Sequence, residues 1–259
     1  MRKAAMATVI GSIFLAGCGG GGGGGSTVAP PKPQSAAGLW QGTYSENGTV
    51  IDDLRCLIAD SGQLACLLFD QDGTPSAGAD GDVTIDIATV NGSGAAFAVP
   101  GNILPDGTTV GSLTITDGTV KTQTSLTMSI DIGGSSGSVS ASYDPAYARA
   151  SDLATVAGTY TQFTFIDEPS SFSVDTNGVL FFQSQSGCTG NGQVSIMDST
   201  VNIYSVSLTL ANCNAMDGDY SGLGYMTDVN GTNDGFSFGA FNTVNIFNSA
   251  GAIVGTAIK

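Results

Sequence analysis

The chain has 259 residues, of which 22 are acidic and 7 basic, with no histidine and a formal charge of −15. A surface this acidic repels phosphate backbones and anionic head groups, which argues against nucleic acid as a partner. With 41% hydrophobic and 11% charged residues, the chain can supply a core, and its abundant Gly, Ser and Thr suit short strands joined by tight turns.

Arg2 and Lys3 precede an apolar run over residues 4–15, the length of a signal-peptide core and too short to span a bilayer as a helix. The run ends in Leu15-Ala16-Gly17-Cys18, which resembles the bacterial lipobox. The resemblance implies cleavage after residue 17 and acylation of Cys18, which becomes a triacylated first residue anchored stably in a membrane. Gly19, where retention in the inner membrane favours Asp, implies the outer membrane of a Gram-negative cell, with the face left open. Losing residues 1–17 removes Arg2 and Lys3 and no acid, leaving 5 basic and 22 acidic residues, a charge of −17.

Residues 18–37 contain a glycine run at 19–25 and then Pro and small residues. Such a tract has too little apolar surface to offset its ordering entropy and is expected to be a disordered tether. The glycine run is similar to the tethers of surface-exposed lipoproteins.

Beyond it, apolar segments are punctuated by Gly, Asn, Asp and Ser, the pattern of antiparallel hairpins. Strands are expected over 83–87, 112–116, 125–132, 194–197 and 204–210. In the last, Tyr204, Val206, Leu208 and Leu210 alternate with Ser205, Ser207 and Thr209, so one face is apolar.

The two halves look alike. Gly42-Thr43-Tyr44 returns as Gly158-Thr159-Tyr160, and Gly62 and Leu64 return as Gly178 and Leu180, all 116 positions later. Gly81, Val83 and Ile85 match Gly192, Val194 and Ile196 at an offset of 111. Asp144-Pro145 and Ser151-Asp152-Leu153 mark the joint, with a cap for one short helical turn. The expected fold is all-β, with domains at 38–150 and 151–259. Each holds seven or eight strands, and two tandem small antiparallel barrels are favoured over paired sandwiches or one continuous barrel, because closing a sheet removes its open edges. Gly38-Leu39-Trp40 resembles the opening of lipocalin-like and avidin-like barrels, where the Trp closes one end; the alternative is that Trp40 is ordinary core.

Four cysteines remain after Cys18, in a compartment where disulfides persist. A hairpin folded about Ser61 places Cys56 opposite Cys66, and Cys188 and Cys213 lie near the open end of the hairpin turning at Thr200. No CxxC spacing or histidine suggests a reactive thiol.

Without histidine the commonest general base and zinc ligand are missing. Lys32, Lys121 and Lys259 sit in the tether, near a turn and at the last position. The carboxylate pairs Asp52-Asp53, Asp167-Glu168 and Asp217 to Asp219 read as turns facing water, so no enzyme and no cofactor are expected. Asp70-Gln71-Asp72-Gly73 and Asp228-Val229-Asn230-Gly231-Thr232-Asn233-Asp234-Gly235 partly resemble calcium loops. Both lack the closing Glu, and turn chemistry is the favoured explanation, since Asn-Gly and Asp-Gly are hairpin residues. Asp70 and Asp72, with Asp228, Asn230 and Asp234, are therefore candidates for weak calcium binding only.

Two functions follow: a non-catalytic, membrane-anchored module that binds another macromolecule, or a carrier of a small apolar ligand in a barrel calyx. Phe163, Phe165, Phe172, Phe181, Phe182, Phe236, Phe238 and Phe241 are expected to plug the second interior, which favours the binding module.

Overall fold

Sixteen antiparallel strands build the described part of the computed structural model, residues 33–99, 101–104, 106–165, 168–242 and 252–259. The expected signal segment, Cys18 and the expected tether up to residue 32 lie outside it. The first eight strands are β1 (Gly38–Glu46), β2 (Thr49–Ile58), β3 (Gln63–Phe69), β4 (Pro75–Asp86), β5 (Thr89–Ala98), β6 (Val110–Lys121), β7 (Ser125–Ile132) and β8 (Ser135–Asp144). Each pairs with the next, and β8 returns to β1 from Leu39↔Asp144 to Ser45↔Ser138, closing a barrel. Local chemistry fixes the turns: Asn47-Gly48 joins β1 to β2 with both residues at positive φ, as a two-residue hairpin requires.

A short 3-10 turn, Pro145–Ala148, and one helical turn, α1 (Leu153–Val156), link the halves. Asp144 and Asp152 cap them, each accepting a backbone N–H from two residues ahead. The strands then resume as β9 (Gly158–Phe165), β10 (Glu168–Val174), β11 (Val179–Gln183), β12 (Thr189–Asp198), β13 (Ile203–Ala211), β14 (Gly218–Thr227), β15 (Gly235–Phe241) and β16 (Ala252–Ile258). This second sheet curls in the same way. Among the described residues its end strands pair at Ile258↔Thr161, against seven pairs at the seam of the first barrel. Among the described residues no helix is long and apolar enough to cross a membrane.

Alternation decides which side chains turn inward. In β7, Leu126, Met128, Ile130 and Ile132 are buried while Ser125, Thr127 and Ser129 are exposed. Several strands depart from this rule, β3 and β15 most completely. In β3 every residue from Leu64 to Phe69 is buried, and so is every residue of β15. A strand buried on both faces needs cover on both, and each provides it for the other. The outer side of β2 and β3, with Leu57, Ala65, Leu67 and Phe69, packs with Leu223, Tyr225 and Phe241 of the second sheet in one apolar layer. Phe97 and Phe241 stack with ring centroids 5.3 Å apart. Glycines permit the approach: a Cβ on Gly78 would stand 2.7 Å from the Phe241 ring, and one on Gly239 would stand 3.0 Å from Leu67. The two sheets thus belong to one compact unit, Lys32–Lys259.

The internal likeness is visible in the hydrogen bonds. Gly62 and Gly178 both turn with positive φ, and their carbonyls accept from Val83 N at 2.9 Å and Val194 N at 2.8 Å. Leu64 pairs with Gly81 as Leu180 pairs with Gly192. The Gly-Thr-Tyr match is different. Gly38 pairs with Ile58 and Gly158 with Val174, so the hairpin register makes Trp40, not Tyr44, the counterpart of Tyr160.

Candidate functional site

The interior of the first barrel is filled, and both ends are covered. At one end residues 34–37 cross the opening. Gln34 N donates to Ile87 O at 2.6 Å, Thr122 N donates to Gln34 Oε1 at 3.0 Å, and Ser35 N donates to Thr122 Oγ1 at 2.8 Å. Ala36 is buried, and its carbonyl accepts from Trp40 Nε1 at 2.8 Å. Residues 34–37, expected to be tether, are therefore part of the barrel. Trp40 both sits in the core and ties down the strap that covers this end. At the opposite end Leu104, from the connection between β5 and β6, enters the same core with 3% of its surface exposed.

The second sheet repeats the device. Tyr160 Oη donates to Val156 O at 2.5 Å, so α1 takes the place of the strap. Tyr160 stacks on Phe172 at 4.7 Å, and Phe236 and Phe238 pack against Phe172. Phe182 joins this cluster. Two of the expected plugs do not: Phe181 points outward and is 44% exposed, and Phe241 lies in the layer between the sheets. The side chains of Phe163 and Phe165 lie outside the described residues.

Both disulfides form as expected. Cys56 and Cys66 are direct cross-strand partners with Cα atoms 4.0 Å apart. Cys188 stands one residue and Cys213 two residues beyond the Thr189↔Ala211 pair, with Cα atoms 4.6 Å apart. All four are buried in their respective cores.

The carboxylates are placed differently from the sequence expectation. Asp52 and Asp53 lie within β2 rather than in a turn. Asp52 faces inward near the strand's start, 9% exposed, and burial followed by the adjacent Asp70 carboxylate pushes its carboxyl up to about 6. Tyr44, its cross-strand partner, donates to Glu46 Oε1 at 2.6 Å, and burial raises its phenol well above the usual range. The signal was legible, because Asp52 continues the inward series Leu54, Cys56 and Ile58. Asp217 and Asp219 serve locally, accepting from Cys213 N and Thr209 Oγ1 at 2.6 Å each. Asp167 and the side chain of Glu168 lie outside the described residues.

In the calcium-like loops the oxygens already have donors. Asp234 accepts from Val229 N and Asn230 N at 2.8 and 2.9 Å. Asp228 accepts from Asn233 N and receives Arg149 in a two-pronged pair at 2.7 and 2.6 Å. The guanidinium, also bonded to Asn233 Oδ1 at 3.0 Å, holds the Asp228 carboxyl down at about 2. Arg149 thus supplies the positive charge of this loop. Asp72 accepts from Thr74 N at 2.9 Å, a turn bond, while Asp70 faces Asp52. Among the described residues no group of three or more His, Cys, Asp or Glu could hold a metal ion.

The remaining candidate is the outside. Val179 and Phe181 expose 50% and 44% of their surface on β11. Other exposed large apolar side chains, such as Val50, Ile51 and Ile103, border the turn-bearing ends of the first barrel. A first barrel filled among the described residues, with partly apolar outer faces on both sheets, suits contact with a surface. No protein-family model matches the chain, and no curated protein matches it.

Proposed function

We propose that this protein is a lipid-anchored lipoprotein of the outer membrane, a non-catalytic module that binds another macromolecule with its outer surface. The anchor rests on the charge, apolar run and lipobox of residues 2–18. The acidic excess, −17 once the signal is removed, disfavours nucleic acid as the partner. The missing histidines support the non-catalytic part. The second sheet is read as a full barrel in tandem with the first, a lipocalin-like pair made by duplication, since the Gly62 and Gly178 turns and the Trp40 and Tyr160 ties repeat.

The observation that carries the binding reading is the filled interior. A calyx for an apolar ligand needs space and a mouth, whereas the described side chains occupy the first barrel from Trp40 to Leu104. Photocrosslinking in cells, from exposed positions on both sheets, tests the proposal. A discrete adduct with a macromolecule is expected; its absence from every position, with a lipophilic molecule co-purifying, favours the carrier. Protease treatment of intact cells then separates an extracellular partner from a periplasmic one.

A further inference from the structure

We infer that Asn47 is a self-modifying site: of the chain's five Asn-Gly pairs, Asn47-Gly48 is the one the fold leaves free to close on itself, lose ammonia and take up water. Aspartate or isoaspartate then stands at the tip of the β1–β2 hairpin.

The reaction needs only two adjacent residues and water. The backbone nitrogen of the glycine attacks the side-chain amide carbon of the asparagine. A new C–N bond closes a five-membered imide, the Cγ–Nδ2 bond breaks, and ammonia leaves with the proton given up by the backbone nitrogen. Water adds to either imide carbonyl and opens the ring. One opening gives aspartate; the other gives isoaspartate, whose main chain runs through the former side-chain carbon. The sum is asparagine plus water giving a carboxylate plus ammonia, with no change of oxidation state. Glycine favours the attack because no Cβ hinders its nitrogen. An N–H already held by an acceptor must first break that bond, so the fold ranks pairs that are chemically alike.

Asn-Gly occurs at 47–48, 91–92, 177–178, 191–192 and 230–231, and four of these are held. Gly178 N donates to Asp175 O at 2.9 Å. The Asp234 carboxylate takes up the backbone N–H groups of Asn230 and Gly231. Gly92 and Gly192 lie inside β5 and β12, each paired with a strand on both sides. Backbone also crowds three of them: a Cβ would stand 2.5 Å from Asp82 O at Gly92, 2.1 Å from Val194 O at Gly178 and 2.0 Å from Ser207 O at Gly192.

Gly48 differs on each count. The Glu46↔Thr49 pair closes the hairpin, which leaves the Gly48 N–H outside the ladder and without an acceptor among the described residues. Asn47 and Gly48 are both exposed, and nothing stands within 4 Å of where a Gly48 Cβ would be. The side chain of Asn47 therefore has room to swing onto the nitrogen. Of the two products, aspartate keeps the turn, since Asp-Gly suits a two-residue hairpin as Asn-Gly does. Isoaspartate lengthens the main chain, and so short a turn absorbs the extra atom only by loosening the Glu46↔Thr49 closure.

Incubation of the folded full chain at mildly alkaline pH in 18O-labelled water, followed by protease digestion and mass spectrometry, tests this. The expected result is loss of ammonia and gain of one 18O atom at Asn47, shared between aspartate and isoaspartate. Its rate should exceed that of each other pair by about tenfold or more, the factor that one retained hydrogen bond imposes. In denaturant the five rates should draw together. A folded chain whose Asn47 stays intact or converts no faster than the other four overturns the inference. So does conversion to aspartate alone, which bypasses the imide, and so do rates that stay equally far apart in denaturant, which would assign the difference to neighbouring residues and not to the fold.

Discussion

Replacing Asp52 by Asn should stabilise the protein at neutral pH and do nearly nothing in acid. The folded chain holds the Asp52 carboxyl at about 6 against an ordinary 3.8, through burial first and the Asp70 carboxylate second. A raised carboxyl means that the folded state prefers the proton. Stability is therefore greatest below 3.8, and the contribution is lost as pH rises through about 6. Two units correspond to a ceiling of about 3 kcal/mol. Asp52 lies near a barrel end, where solvent screens the pair, so about 1–2 kcal/mol is the expected penalty above pH 7. Asn keeps the shape and removes the charge. For a body of this size, Asp52→Asn should raise the melting temperature by roughly 2–6 °C at pH 7.5, and the difference should shrink to nothing near pH 4. Melting followed by circular dichroism at half-unit steps between pH 4 and 7.5 measures this. A variant that melts lower at pH 7.5, or a gap independent of pH, refutes the reasoning.

Other consequences are simpler to state. Removing the Cys56–Cys66 bond by a double Ser substitution should cost about 3 kcal/mol by loop-closure entropy, read from urea unfolding. Trp40→Ala should cost about 3–5 kcal/mol, because it opens a cavity and orphans the Ala36 carbonyl; the native emission of this sole tryptophan should be blue-shifted. Arg149→Ala should raise the Asp228 carboxyl from about 2 toward its ordinary value by NMR while the Asn233 N–H still holds it somewhat low, with a stability loss below about 1 kcal/mol for so exposed a pair. Millimolar calcium should leave the wild-type melting curve in place, since Arg149 and loop amides hold the oxygens. Calorimetry should show one unfolding transition, and Phe241→Ala, which thins the layer between the sheets, should lower it or split it in two.

Much of the fold could be read along the chain because strand alternation and turn chemistry are local. β7 falls on residues 125–132 as expected, and the Ser61 and Thr200 hairpins put both cysteine pairs together. What escaped was non-local. The run Leu64-Ala65-Cys66-Leu67-Leu68-Phe69 has no polar alternation, the mark of a strand covered on both sides, yet only the folded arrangement shows that β15 covers it. Phe181 was read as an interior plug because aromatic content says nothing of direction; its neighbours Leu180 and Phe182 already occupy the inward positions. The Gly-Thr-Tyr identity misled for a similar reason, since β1 and β9 are offset by 120 rather than 116, and glycine-rich strands match easily out of register. Arg149 lies 79 positions from Asp228, and nothing local links the two.

Native mass spectrometry of the full-length protein, purified gently from its host, addresses the central claim, that the first barrel is already occupied by its own side chains. With the anchor proposed above, the expected mass is that of the polypeptide from Cys18 onward plus acyl groups, identical before and after unfolding. A stoichiometric apolar companion, retained by the folded form and lost on denaturation, would show that the interior opens to a ligand and that the outer surface is not where the protein acts.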